Sequence, residues 1–245
     1  MPAPHNPSQP PRSSFTGEEL EAYDRVVRQQ KSYNYPEFMK SIPPQHLHAM
    51  LPVTGASETA EGVDEADRVQ PYMGAMLNSP LIMGLISDLG AVFRSRGERD
   101  DSFSHADREW VDLVLSEELK CWGVYYSHMY DAVAVGVRVG AIRALRSGCD
   151  EDLEPAEFLK ARFIRQVARG TVTSESYQRI VELFGVRGAV EYTAAVGWLV
   201  MTIRLLQAFG SHAERTEQMV NELVGMMERG EIKLPSPRAR VTAKR

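Results

Sequence analysis

The sequence predicts an all-α fold, and three observations carry that expectation. Apolar residues recur at three- and four-residue spacing in segment after segment, as on one face of a helix. Helix-start signals stand in front of several of those segments. No segment shows the strict alternation of a half-buried strand. A chain of 245 residues with 43% hydrophobic and 25% charged residues has the composition of an ordinary globular protein, as one large domain or two small ones.

Residues 1–14 are rich in Pro and Ser and are expected to form an extended or disordered arm. Thr16 and Glu19 make a capping box, with Phe15 before it, and Leu20, Tyr23, Val26 and Val27 give the helix that follows an apolar stripe. A short helix is expected over Tyr35 to Met50, interrupted at Pro43-Pro44. The acidic, small-residue stretch from Gly55 to Asp67 reads as a linker. Residues 1–68 thus form an N-terminal helical extension. The core spans 69–212, and 213–245 add a C-terminal helix with a basic tail.

Ser79-Pro80 supplies an N-cap and first helical residue for the apolar run Leu81 to Phe93. Ser104-His-Ala-Asp107 caps the helix that carries Glu109. Glu109 and Cys121 are twelve residues apart, which on one straight helix rotates them by about 120°. A break near Lys120 would turn both toward one cleft. Beyond it Cys121, Val124, Tyr125, His128, Ala132 and Val135 form a 3.6-residue stripe. Further helices are expected over Pro155–Arg169, Glu175–Phe184, Ala189–Phe209 and His212–Arg229. The segment Val190 to Phe209 is apolar nearly all round and should be buried on most sides, part of it against another subunit.

The residues that carry chemistry lie around the break. Cys121, Val124 and His128 fall at i, i+3 and i+7 on one helix face, with Glu109 one helix upstream. An imidazole with a pKa of about 6.5 suits proton transfer near neutral pH. A carboxylate beside it can orient it, relay its proton or act as the base. Cys121, near a helix start, is expected to have a thiol pKa below about 8.5. It can be a nucleophile, a weak acid or a pocket wall, and a cysteine on an apolar helix face is most often a small core residue.

The spacing Glu109-x11-Cys121-x2-Val124-x3-His128 resembles the Glu-x11-Cys-x2-Cys-x3-His pattern of the alkylhydroperoxidase D-like and carboxymuconolactone decarboxylase superfamily. Gly140–Gly148, Val172–Tyr177, Val181–Gly185 and Val190–Gly210 follow in the order that family shows. The resemblance covers roughly residues 70–212. It implies that family's helical fold and makes Glu109 and His128 a proton relay. It also implies no cofactor, no metal, and assembly as a dimer, trimer or hexamer.

Val124 stands where the peroxidase-type members hold their second Cys, and Cys149, 28 residues beyond Cys121, is the only other thiol. The expectation is therefore a lyase: a cofactor-independent, decarboxylase-like enzyme acting by Glu/His proton transfer on a small cyclic or carboxylated substrate. The non-redox members usually carry Glu at the Val124 position, which leaves the substrate open. A thiol peroxidase using Cys121 and a non-catalytic oligomeric binding protein are the alternatives. Trp122, Val124 and Tyr125 are expected to line the pocket, Tyr125 as a phenol donor. Arg204 would hold a substrate carboxylate or pair structurally with an acid such as Glu191.

Other classes are not indicated. A net charge of −5 gives no general attraction to nucleic acid or anionic lipid. The charge-free run Tyr192–Ile203 is shorter than the ~20 residues of a membrane span. His46 and His48 face apart on a helix, so no metal is expected there. Two Cys without framework spacing, and no signal-peptide pattern at the start, predict a cytoplasmic protein.

Overall fold

The computed structural model describes residues 7–31, 62–96, 102–209 and 215–232. Among them the chain is all-helical, with nine α-helices and no strand. They are α1 (Gly17–Lys31), α2 (Pro71–Met76), α3 (Pro80–Arg96), α4 (His105–Glu118), α5 (Trp122–Ala134), α6 (Val139–Ser147), α7 (Pro155–Arg169), α8 (Ser174–Ala208) and α9 (Glu217–Glu228). The helix expected over Tyr35–Met50 and the basic tail lie outside the described residues.

The centre of the molecule is α4. Every residue from Glu109 to Ser116 is buried, because α5, α7 and α8 all pack against it. Its start follows the expected box: Ser104 Oγ accepts from Asp107 N at 3.1 Å, and Asp107 Oδ2 accepts from Ser104 N at 2.8 Å. Its end is the expected break. Lys120 takes φ +55°, a left-handed conformation uncommon for a side-chain-bearing residue, and Cys121 becomes the N-cap of α5. The Lys120 ammonium is held by Glu117 at 2.8 Å and lies over the Trp122 ring.

The N-terminal segment differs from its expectation. Gln9 is buried, donates to Tyr23 Oη and to the Asp67 carbonyl, both at 2.8 Å, and accepts from Val69 N at 3.1 Å. One side-chain amide thus ties residues 7–14 into the core, which composition does not register. Ala22, Tyr23, Val26 and Val27 of α1 are buried in their own chain, with α1 packed on α3. The expected linker ends in a single 3₁₀ turn, Glu65–Asp67, and Pro71 opens α2, a helix too short for periodicity to reveal. The last helix begins at Glu217, where Thr216 Oγ1 accepts from Met219 N at 3.3 Å, later than the expected His212.

Helix α8 is two helices joined at Gly185, as the two expected spans imply, with one residue between them. Gly185 has φ 70° and ψ 171°, a region open to glycine alone. Gly185→Ala should therefore destabilise the fold by about 1–3 kcal/mol, although its Cβ would meet open space. A urea midpoint equal to that of the wild type would contradict this.

Candidate functional site

Two helix faces meet to form the site. On α4, His105, Glu109 and Asp112 stand at i, i+4 and i+7 and share one side. On α5, His128 and Asp131 stand at i and i+3. The packing of α4 on α5 brings Glu109 Oε2 to 2.9 Å from His128 Nδ1. The second carboxylate oxygen, Oε1, lies 3.0 Å from His105 Nε2 and also accepts from the Arg108 guanidinium. Asp112 Oδ2 is 3.6 Å from His128 Nδ1. Glu109 is wholly buried, whereas the His128 side chain is 37% exposed. The imidazole is therefore the part of this pair that meets solvent.

The charges follow from burial and proximity. Burial alone would raise the Glu109 carboxyl, but the charges of Arg108 and His128, with hydrogen bonds from both imidazoles, hold it well below the usual carboxylate range. For His128 burial disfavours the imidazolium, and Asp112 and Glu109 outweigh it, with Asp131 adding to them, so that its pKa rises to about 9. At neutral pH the pair is Glu109 carboxylate and His128 imidazolium.

The other expected residues divide. Cys121 is buried at the start of α5, and among the described residues its sulfur makes no hydrogen bond to Glu109 or His128. Burial pushes its thiol up, against the Val124 N–H and the Arg204 charge, so the lowered pKa expected of a helix start is reversed. Val124 is buried. Tyr125 is fully buried with its hydroxyl 3.5 Å from the Ile142 carbonyl, so it is core and offers a substrate no phenol. Trp122 is half-buried beneath the Arg146 guanidinium, 4.7 Å away. Arg204 is exposed and donates to Gln207 Oε1 at 2.9 Å, rather than pairing with Glu191, which accepts from Arg187.

Sequence reading missed His105, Arg108, Asp112 and Asp131. His105 and Asp112 stand four and three residues from Glu109, a spacing visible in the sequence, but only the packing shows that this face is covered. By distance alone, Glu109, Asp112 and His128 could hold a metal ion, as could His105, Glu109 and Asp131, their ligand atoms lying within 4.8 Å of one another. Arg108 and the protonated His128 already supply positive charge there. No protein-family model, curated protein or solved structure matches the chain with significance.

The His128 pKa is measurable and has consequences for stability. An imidazole raised from 6.5 to about 9 by folding stabilises the native state fully below 6.5. That contribution is lost as pH rises through about 9. Glu109, depressed on folding, contributes above its ordinary 4.5 and is lost as pH falls through the lower folded value. Titration of the His128 ring by NMR should give a pKa well above 6.5, and Glu109→Gln should bring it down. A wild-type value at or below 6.5 would refute the charge assignment.

Proposed function

We propose that the protein is a cofactor-independent enzyme that transfers a proton from His128 to a small cyclic or carboxylated organic substrate, in a decarboxylase-like reaction. The observation that carries this reading is the Glu109–His128 pair, with a buried carboxylate on Nδ1 and the partly exposed ring facing outward. Nδ1 is engaged, so Nε2 is the nitrogen that would meet the substrate. The resemblance of the Glu109, Cys121 and His128 spacing to the carboxymuconolactone decarboxylase superfamily supports the same assignment.

In such a reaction the bond from the substrate carbon to its carboxylate breaks, and the electron pair is left in a conjugated enolate. The proton on His128 Nε2 is added at that carbon, carbon dioxide leaves, and the imidazole regains a proton from water. Glu109 stays ionised throughout, fixing the ring and stabilising its charged form. The sequence offers Arg204 as a cation for a substrate carboxylate, and its side chain is exposed, bonded to Gln207 Oε1. The peroxidase alternative lacks a comparable support, because the Cys121 thiol is buried and held protonated.

A panel of cyclic β-keto acids and lactone carboxylates incubated in D₂O tests the reading, with deuterium incorporation and carbon dioxide release followed by NMR. His128→Ala should lower turnover by roughly 10²–10⁴ and leave the fold intact, since Arg108 and His105 still hold Glu109. Undiminished turnover in that variant removes His128 from the reaction. Rapid peroxide oxidation of Cys121, read by intact mass, would move the assignment to thiol chemistry.

A further inference from the structure

Glu109, Asp112 and His128 aim two carboxylate oxygens and one imidazole nitrogen at a single point between α4 and α5. Glu109 Oε2 lies 2.9 Å and Asp112 Oδ2 3.6 Å from His128 Nδ1, and the three groups place ligand atoms within 4.8 Å of one another. Ligands held about 2.0–2.2 Å from a zinc-class ion stand roughly 3.0–3.5 Å apart, so these atoms have the spacing of neighbours on one ion. The packing fixes them there. Glu109 and Asp112 are buried one turn apart on one face of α4, and α5 sets His128 against that face.

Charge favours an ion at this point. Glu109, Asp112 and Asp131 bring three carboxylates to the junction, against the guanidinium of Arg108. Buried carboxylates need positive charge beside them, and a divalent ion supplies more of it than the single proton on Nδ1. Arg108 also decides which oxygen is open. It bonds to Glu109 Oε1 and to His105 Nε2, and so fills the second possible triad, His105, Glu109 and Asp131. Glu109 Oε2 faces His128 Nδ1 instead, and that hydrogen bond is the one an ion replaces. His105 and Arg108 then orient the Glu109 carboxylate from its other oxygen, as the outer partners of metal ligands do.

We propose that Glu109 Oε2, Asp112 Oδ2 and His128 Nδ1 bind one divalent transition-metal ion of the zinc class in place of the Nδ1 proton, which goes to solvent. The mixed nitrogen and oxygen set favours Zn²⁺, Co²⁺ or Mn²⁺ over Mg²⁺ and Ca²⁺, which take oxygen ligands. Three protein ligands leave at least one position for water. The site departs from the metal-free one that the family resemblance implies. Binding does not depend on the proposed reaction, and it opposes that reaction. A metal-bound imidazole keeps its Nε2 proton more firmly than an imidazolium does, so the ion and the proton-loaded acid are exclusive states of one ring.

Full-length protein stripped with a chelator is titrated with Co²⁺ and Zn²⁺, followed by visible absorption and calorimetry. One equivalent should bind with micromolar or tighter affinity and give the d–d bands of four- or five-coordinate Co²⁺. Asp112→Asn, which keeps the side-chain shape, should weaken binding by about tenfold or more. His128→Ala should abolish it, and Asp131→Asn should change it far less. Cadmium NMR of the unsubstituted protein should show nitrogen and oxygen ligation with coupling to the His128 ring. No binding at millimolar ion overturns the proposal, as does binding undiminished in both the Asp112 and His128 variants. A thiolate-type spectrum, or bound cadmium without coupling to His128, overturns it equally.

Discussion

A carboxylate with no access to water organises this protein. Glu109 sits one turn into α4, the helix that α5, α7 and α8 all enclose, and an unpaired charge there would cost several kcal/mol. Its oxygens are satisfied from both helices that form the site, by His105 and Arg108 on α4 and by His128 on α5. The requirement reaches into the backbone. His128 faces Glu109 because the chain breaks and restarts between Glu118 and Trp122, and that break is closed by Lys120 in a left-handed conformation. Cys121 N bonding to the Ser116 carbonyl at 2.8 Å fixes the restart against the end of α4. The strained residue and the buried ion pair are two ends of one arrangement.

The charge state decides what chemistry the pair can perform. A neutral imidazole beside a neutral acid would be a poised base. Here three carboxylates surround one imidazole, and Arg108 helps hold Glu109 ionised, so the mobile proton is stored on the ring. A stored proton beside solvent suits the quenching of a carbanion or enolate. At Cys121 it is burial that disfavours the thiolate, the sulfur being enclosed at the start of α5. Acid chemistry at His128 and thiol chemistry at Cys121 therefore draw on different parts of the structure, and only the former has its partners in place.

How far the sequence discloses this depends on whether a feature is local. Ser104 and Asp107 cap α4 through neighbours three residues apart, and the break at Lys120 follows from helix rotation between Glu109 and Cys121; both are local and legible. The Glu109–His128 contact spans nineteen positions and was legible through spacing and family resemblance. His105, Asp112 and Asp131 were not, because a polar residue on a helix is ordinarily solvated and only packing reveals that its face is covered. Tyr125 failed for the converse reason. Its place beside Val124 says nothing of the direction of its ring, which enters the core toward α6. Gln9 is the extreme case, a polar residue in a Pro-rich arm whose partners lie 14 to 60 positions away.

Helix α8 shows what composition alone conceals. Apolar on nearly every side, it is the one helix among the described residues long and apolar enough to cross a membrane, a test that core helices of soluble proteins also pass. Its inner side is spent on the core, where Tyr192 meets the rings of Phe103, Phe163 and Phe184 at 5.4, 6.3 and 5.0 Å. The break at Gly185 re-aims the helix after Phe184, and the segment beyond it meets both α7, through Tyr192 and Phe163, and α3, at Trp198. The apolar excess of α8 is thus divided between two directions. Burial of Tyr192 and its neighbours stabilises the monomer, and the row from Val186 to Met201 is what that core leaves facing outward.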